Sequence, residues 1–158
     1  MRTPQIYLET TLFNYYFDTD RDAHADTVKL FDEIKAGKYE AFTSAYVLRE
    51  LRDAPTEKRD KMLALIDEYG ITTVELSAEA EGLADEYVKQ AIIPEKYKTD
   101  GLHIAIATIN GLDMIISLNF RHIVKKKTMV GTEYINTAHG YRKIDIFSPM
   151  EVVDNDTE

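Results

Sequence analysis

Glu9, Glu50, Asp100 and Asn119 are the residues of this 158-residue chain that type and context best suit for chemistry. Glu9 follows the β-prone run Ile6-Tyr7-Leu8, and Glu50 lies in the helix after a second strand. Asp100 opens an apolar helix, and Asn119 comes just after Met114-Ile115-Ile116. They are far apart in sequence, yet parallel strands would bring all four to one rim, because open parallel sheets bind ligands outside the carboxyl ends of their strands. Three carboxylates meeting there repel one another at short range unless a cation neutralises them. Oxygen donors of this kind suit Mg²⁺ or Mn²⁺, hard ions that keep several of their waters.

Each residue also has a plainer role to weigh. Asp100 at a helix start suits capping or dipole compensation. Glu50 sits at the edge of an apolar stripe, where a surface glutamate is common, and Asn119 in a turn is ordinarily a local hydrogen-bonding device. Glu9 has no packing task between a strand and an apolar helix, which favours a functional reading. The histidines His24, His103, His122 and His139 lack the close spacing of zinc motifs. His103 falls one helical turn after Asp100 on the same face, placed to orient that carboxylate or approach a phosphate, although a satisfied core histidine fits equally. Arg121, Lys125, Lys126 and Lys127 form the densest basic run and follow the same strand as Asn119. A solvated helix start explains them, as does a guide for a phosphate backbone. Tyr15, Tyr16 and Tyr46 suit base stacking or the core.

The elements that must position these side chains alternate regularly. Strands are expected at Ile6-Tyr7-Leu8, Ala41-Phe42-Thr43, Thr72 to Leu76, Met114 to Ile116 and Ile144 to Ile146. Between them, helices are expected at Leu12 to Phe17 with Thr10 or Thr11 as cap, and at Asp22 to Ala36, Ser44 to Asp53 and Thr56 to Tyr69. Further helices follow at Ser77 to Ala91, Asp100 to Asn110 and Lys125 to His139. Apolar residues occupy most faces of the Asp100 helix, which predicts its burial. Strands separated by helices imply right-handed crossovers: an α/β fold, a three-layer α/β/α sandwich on a parallel, Rossmann-like sheet of four to five strands.

At 44% hydrophobic and 30% charged residues the composition is globular, and residues 1–150 are expected to form one domain. Residues 151–158, with Glu151, Asp154, Asp156 and Glu158, read as a flexible acidic tail. The net charge of −9 argues against holding nucleic acid by overall charge, while leaving room for a local basic groove. There is no cysteine, hence no disulfide, thiolate zinc site or cysteine nucleophile. With neither a signal-like start nor an apolar run of membrane length, a cytoplasmic protein without membrane contact is expected.

The segments IYLETTLFNYYFD, SAYVLREL and TDGLHIAIATINGLDMIISLNFRHI, in this order and in these contexts, resemble the PIN-domain nucleases, which include the toxin half of many toxin/antitoxin pairs. The resemblance runs from about residue 5 to 150. It implies a PIN-like sheet and metal-dependent endonucleolytic cleavage of RNA, with dimerisation into a homodimer and inhibition by an antitoxin partner. Glu9 takes the place where the family usually has Asp, and Thr11 that of its adjacent Ser or Thr. Glu50 and Asp100 match the second and third acids, and Asn119 stands where Asp is commoner. On this pattern Glu9 and Asp100 hold Mg²⁺ or Mn²⁺, and Glu50 completes the environment of the ion. Water attacks in line, leaving 5′-phosphate and 3′-hydroxyl ends. Thr11, His103, Arg121 and Lys125 would contact substrate. The longer Glu9 and the neutral Asn119 depart from the pattern and weaken the expected metal binding.

Two other classes compete. A catalytically inactive module binding a metal or a partner would explain Glu9 and Asn119. Asp18-Thr19-Asp20 imitates the DxD of haloacid-dehalogenase phosphatases, with Asp18 as nucleophile and Asp20 as acid/base. That family, however, places DxD straight after the first strand, and a helix is expected to intervene here.

Overall fold

The structure, a computed structural model, describes residues 2–154. Five strands form one sheet: β1 (Gln5–Leu8), β2 (Glu40–Ser44), β3 (Thr72–Val74), β4 (Met114–Ile116) and β5 (Asp145–Phe147). All neighbours are parallel, in the order β3-β2-β1-β4-β5. The chain first winds outward from β1 through β2 to β3, then returns to place β4 on the other side of β1. A topological switch point therefore lies between β1 and β4, where such sheets form their crevice. The register pairs Tyr7 with Ile115 and Leu8 with Ile116, so the carboxyl ends of the two strands finish level.

Helices cover both faces, completing a three-layer α/β/α sandwich. The first group is α1 (Thr10–Phe17), α2 (His24–Lys35), α3 (Ala45–Arg52), α4 (Thr56–Glu68) and the short α8 (Pro149–Val152). The second is α5 (Ala78–Lys89), α6 (Lys98–Ile109) and α7 (Lys126–Ala138), with a 3₁₀ turn at Glu95–Tyr97 leading into α6. Strand alternation divides β1: Tyr7 reaches His103 of α6, so Ile6 and Leu8 face the opposite layer. All three are fully buried, as are Ile115 and Ile116.

Helix α6 is buried on every side from Gly101 to Thr108, as its apolar sequence predicts. Gly101 lets α5 approach closely: a Cβ there would lie 2.9 Å from Ile93 Cδ1, which would have to shift, and 3.4 Å from Tyr87 Cδ2. Tyr87 Oη donates to Asn136 Oδ1, and Asn136 Nδ2 donates to Thr108 Oγ1. This buried polar chain ties α5, α6 and α7 together. Ser44 and Ser77 cap α3 and α5, their hydroxyls accepting from Val47 N and Ala80 N.

Some local expectations are corrected. Neither Thr10 nor Thr11 caps α1; the cap residue is Glu9, without a side-chain cap bond, and both threonine hydroxyls are drawn to carboxylates. Helix α6 begins at Lys98, so Asp100 stands inside its first turn rather than at its cap. At the start of the expected tail, Glu151 accepts from Ser148 N at the start of α8 and Asp154 N donates to Glu33 Oε2 of α2. Residues 155–158 of that tail lie outside the described residues. Among the described residues no helix is long and apolar enough to cross a membrane.

Candidate active site

The backbone joins the two central strands at the rim where β1 ends: Glu9 N donates to Ile116 O at 3.1 Å. The Glu9 side chain is only 4% exposed. A carboxylate buried to that degree needs donors. Thr11 Oγ1 and Ser117 Oγ both donate to Glu9 Oε1 at 2.6 Å, one from the first turn of α1 and the other from the residue after β4. Ser117 Oγ in turn accepts from Asn119 N at 2.9 Å, and Thr11 Oγ1 from Leu118 N at 2.8 Å. The β1 and β4 termini are thus laced together around one oxygen of Glu9. Among the described residues its second oxygen has no hydrogen-bond partner and is not one of the buried unpartnered atoms.

His103 organises the neighbouring side of the rim from within α6. It is 1% exposed, with Nδ1 2.8 Å from Tyr7 Oη and Nε2 2.9 Å from Glu50 Oε1. Tyr7 Oη is also 2.8 Å from Ser44 Oγ. Burial pushes the His103 imidazolium down, but the hydrogen bond to Glu50 and the charges of Glu9, Glu50 and Asp100 outweigh it, and its pKa lies above the ordinary histidine value. Burial likewise pushes Glu50 up, and is overcome by the hydrogen bond and charge of His103 and by Thr10 Oγ1, so its carboxyl lies below the ordinary value. Burial pushes the Tyr7 phenol well above its usual range. A protonated His103 donates from both nitrogens, so Tyr7 accepts from Nδ1 and turns its own proton to Ser44.

Asp100, half-buried, is held above the ordinary carboxylate value. Burial is the main cause and the Glu9 charge adds to it, against the opposing charges of His103 and His122 and the Asn119 amide. The same interactions place Glu9, Asp100, His103, His122 and Asn119 in one electrostatic neighbourhood. Across the rim, Tyr46 of α3 lies edge-on to His103, with ring centroids 5.4 Å apart, and the exposed Arg49 sits over the Tyr46 ring at 5.7 Å.

The expected acids therefore lie at one rim. Glu50 is occupied by His103 and Thr10, and among the described residues no three Asp, Glu, His or Cys side chains are grouped to hold a metal ion. The arrangement fits a two-carboxylate site better than a three-carboxylate cage: His103 is bonded to Glu50, and no cationic side chain is hydrogen-bonded or ion-paired to Glu9 or Asp100 among the described residues. Mg²⁺ is commonly held by one or two carboxylates plus waters and substrate oxygens. Thr11 and His103, expected to touch substrate, have their polar atoms spent inside the protein. Asn119 Oδ1 accepts from His122 N at 3.0 Å. Arg121 and Lys125 are exposed on the segment after β4 and make no ion pair among the described residues.

The tyrosines separate. Tyr16 packs against Phe17, Phe31 and Tyr69, and Tyr15 takes a hydrogen bond from Arg21, which leaves Tyr46 at the rim. Asp18 follows α1 and accepts from Arg21 Nε at 3.0 Å, while Glu9 occupies the position directly after β1. The placement that a DxD phosphatase needs is absent. Sequence reasoning took Thr10 only as a possible cap and His122 only as one of four histidines without zinc spacing, and gave Tyr7 and Ser117 no role at the site. Ser117 carried a usable signal, being a polar residue that ends an apolar central strand as Glu9 does.

VapC20 of Mycobacterium tuberculosis, a sarcin-ricin loop cleaving toxin, has a similar structure. Its TM-score is 0.57 at 15% identity, covering 88% of this chain and 98% of that one. VapBC2 from Rickettsia felis, solved bound to a DNA fragment from its promoter, gives a TM-score of 0.56 at 15% identity, covering 91% of this chain and 98% of that one. No family model and no curated protein matches the sequence. At this identity the likeness is one of fold.

Proposed function

We propose, for a chain with the PIN-domain fold of these toxins, that it is a divalent-cation-dependent endoribonuclease hydrolysing RNA phosphodiester bonds. The observation that supports this most is the placement of Glu9 directly after β1, beside Ser117 after β4, with the charge of Glu9 felt by Asp100 at the β1/β4 switch point. Glu9 through its free oxygen and Asp100 would hold Mg²⁺ or Mn²⁺, which when bound supplies a water of lowered pKa and polarises the scissile phosphate. Thr11 and Ser117 fix Glu9. Glu50, whose carboxyl the hydrogen bond to His103 helps hold below the ordinary value, has its Oε2 outside any hydrogen bond among the described residues and would take a proton from the attacking water. Arg121 and Lys125 draw the RNA backbone toward an otherwise acidic protein. The proposal extends to an antitoxin as protein partner and to a homodimer.

The test is digestion of total RNA by the purified protein, with and without Mn²⁺, beside Asp100→Asn and Glu9→Gln, with fragment ends mapped. Discrete cuts bearing 5′-phosphates, made only with the cation and lost in both variants, are expected. Equal cutting by wild type and variants would overturn the assignment. A second reading, a binding module without cleavage, is favoured by Asn119, whose neutral side chain already serves His122 N. Mn²⁺ binding with no cut in any RNA would select it.

A further inference from the structure

Tyr97 and His122 flank the acidic rim from two different segments. Tyr97 ends the 3₁₀ turn and precedes α6, three residues before Asp100; His122 lies three residues beyond Asn119. Their rings are stacked, with centroids 4.0 Å apart and planes 26° from parallel. Two cations sit over the Tyr97 ring, the Arg121 guanidinium at 5.8 Å from the centroid and Lys96 Nζ at 5.7 Å. Neither forms an ion pair among the described residues, and both are exposed. The His122 Nε2 atom is buried without a hydrogen-bond partner, although its ring acts electrostatically on Asp100. A buried ring nitrogen without a protein partner costs stability unless water or a ligand supplies one.

We infer that Tyr97, stacked on His122 and flanked by Arg121 and Lys96, is a nucleobase subsite, taking an unstacked base of the RNA strand next to the phosphate held at the rim. Stacking on aromatic rings tolerates any base, and the guanidinium and ammonium groups serve both the base face and the adjoining phosphates. A paired base cannot enter, so the subsite selects single-stranded or splayed segments. The nuclease reading supplies the class of ligand.

Binding decides it without cleavage. Fluorescence anisotropy is measured without divalent cation on a mixed-sequence ten-nucleotide RNA, its duplex, and a ten-residue abasic ribose-phosphate chain. The proteins are wild type, Tyr97→Leu and Tyr97→Phe. Wild type is expected to prefer the single strand over the abasic chain by roughly tenfold, Tyr97→Phe to keep most of that preference, and Tyr97→Leu to lose it. All three should bind the abasic chain alike, which shows that the variants remain folded. Equal binding of RNA and abasic chain by wild type, or unchanged preference in Tyr97→Leu, overturns the subsite and leaves the surface to a protein partner. Base-dependent binding without cleavage would refute the nuclease and spare the subsite; cleavage without base dependence would do the reverse.

Discussion

His103 Nε2 lies 2.9 Å from Glu50 Oε1, and this contact decides which acids of the rim remain free. It joins α6 to α3 and places an imidazole, cationic when protonated, behind one of the expected acids. Glu9 and Asp100 are the pair proposed to hold a divalent ion.

The His103–Glu50 pair makes stability depend on pH from both sides. The pKa of His103 is raised, so its contribution is complete below the ordinary histidine value and is lost as pH rises through the raised one. Glu50 is lowered, so its contribution is complete above the ordinary carboxylate value and is lost as pH falls through the lowered one. Thermal melts of wild type and Glu50→Gln should differ most between the carboxylate and imidazole ranges, by about 2 kcal/mol for a pair with one partly exposed member. The gap should narrow in alkali. A gap independent of pH would remove the ion pair from the account.

Ser117→Ala removes one of the two hydroxyls on Glu9 Oε1. The loss of a hydrogen bond to a buried carboxylate costs about 2 kcal/mol in a denaturant titration. The variant should also need more Mn²⁺ for half-maximal cleavage, because Glu9 is held less firmly. Unchanged metal dependence would mean that Glu9 does not meet the ion.

Asp113 tests the opposite end of the sheet. It accepts from Gln5 N at 2.7 Å and from both terminal nitrogens of Arg2, and Arg142 lies beside it. The Arg2 hydrogen bond, the Gln5 N–H and the two guanidinium charges hold its carboxyl below the ordinary value, against partial burial. Its contribution is present above the usual carboxylate range and lost as pH falls through the lowered value. Asp113→Asn should cost about 1 kcal/mol at pH 7, and less as the pH approaches 3. RNA cleavage should be unaffected, since the residue precedes β4 and the rim follows it.

Gly131→Ala probes the seat of the basic segment. A Cβ there would stand 2.4 Å from Ile92 Cδ1 and 2.7 Å from Ile92 Cγ2, so Ile92 must move. Overpacking of this kind costs about 1–3 kcal/mol, readable as a lower melting temperature. An unchanged melting temperature would show that the loop after α5 yields freely.

Much of the fold was legible because hydrophobic patterning carries it. The apolar runs at Ile6-Tyr7-Leu8 and Met114-Ile115-Ile116 became the two central strands, and the all-round apolar Asp100 helix became the buried α6. The carboxylates met at one rim because each follows or faces a strand end. Their roles were not legible. Whether Glu50 points at an ion or at His103 depends on α3 meeting α6, a contact between residues 50 and 103 that no local spacing encodes. The threonines misled for a related reason: at a helix start a hydroxyl ordinarily caps, yet here buried carboxylates offered stronger acceptors. Tyr97 and His122 were hidden because stacking joins segments on opposite sides of the rim.

Isothermal titration of Mn²⁺ into wild type, Glu9→Gln, Asp100→Asn and Glu50→Gln tests the central claim most directly. One cation should bind the wild type, with affinity falling by more than roughly tenfold in each of the first two variants and less in the third. Equal Mn²⁺ affinity in wild type, Glu9→Gln and Asp100→Asn would contradict it.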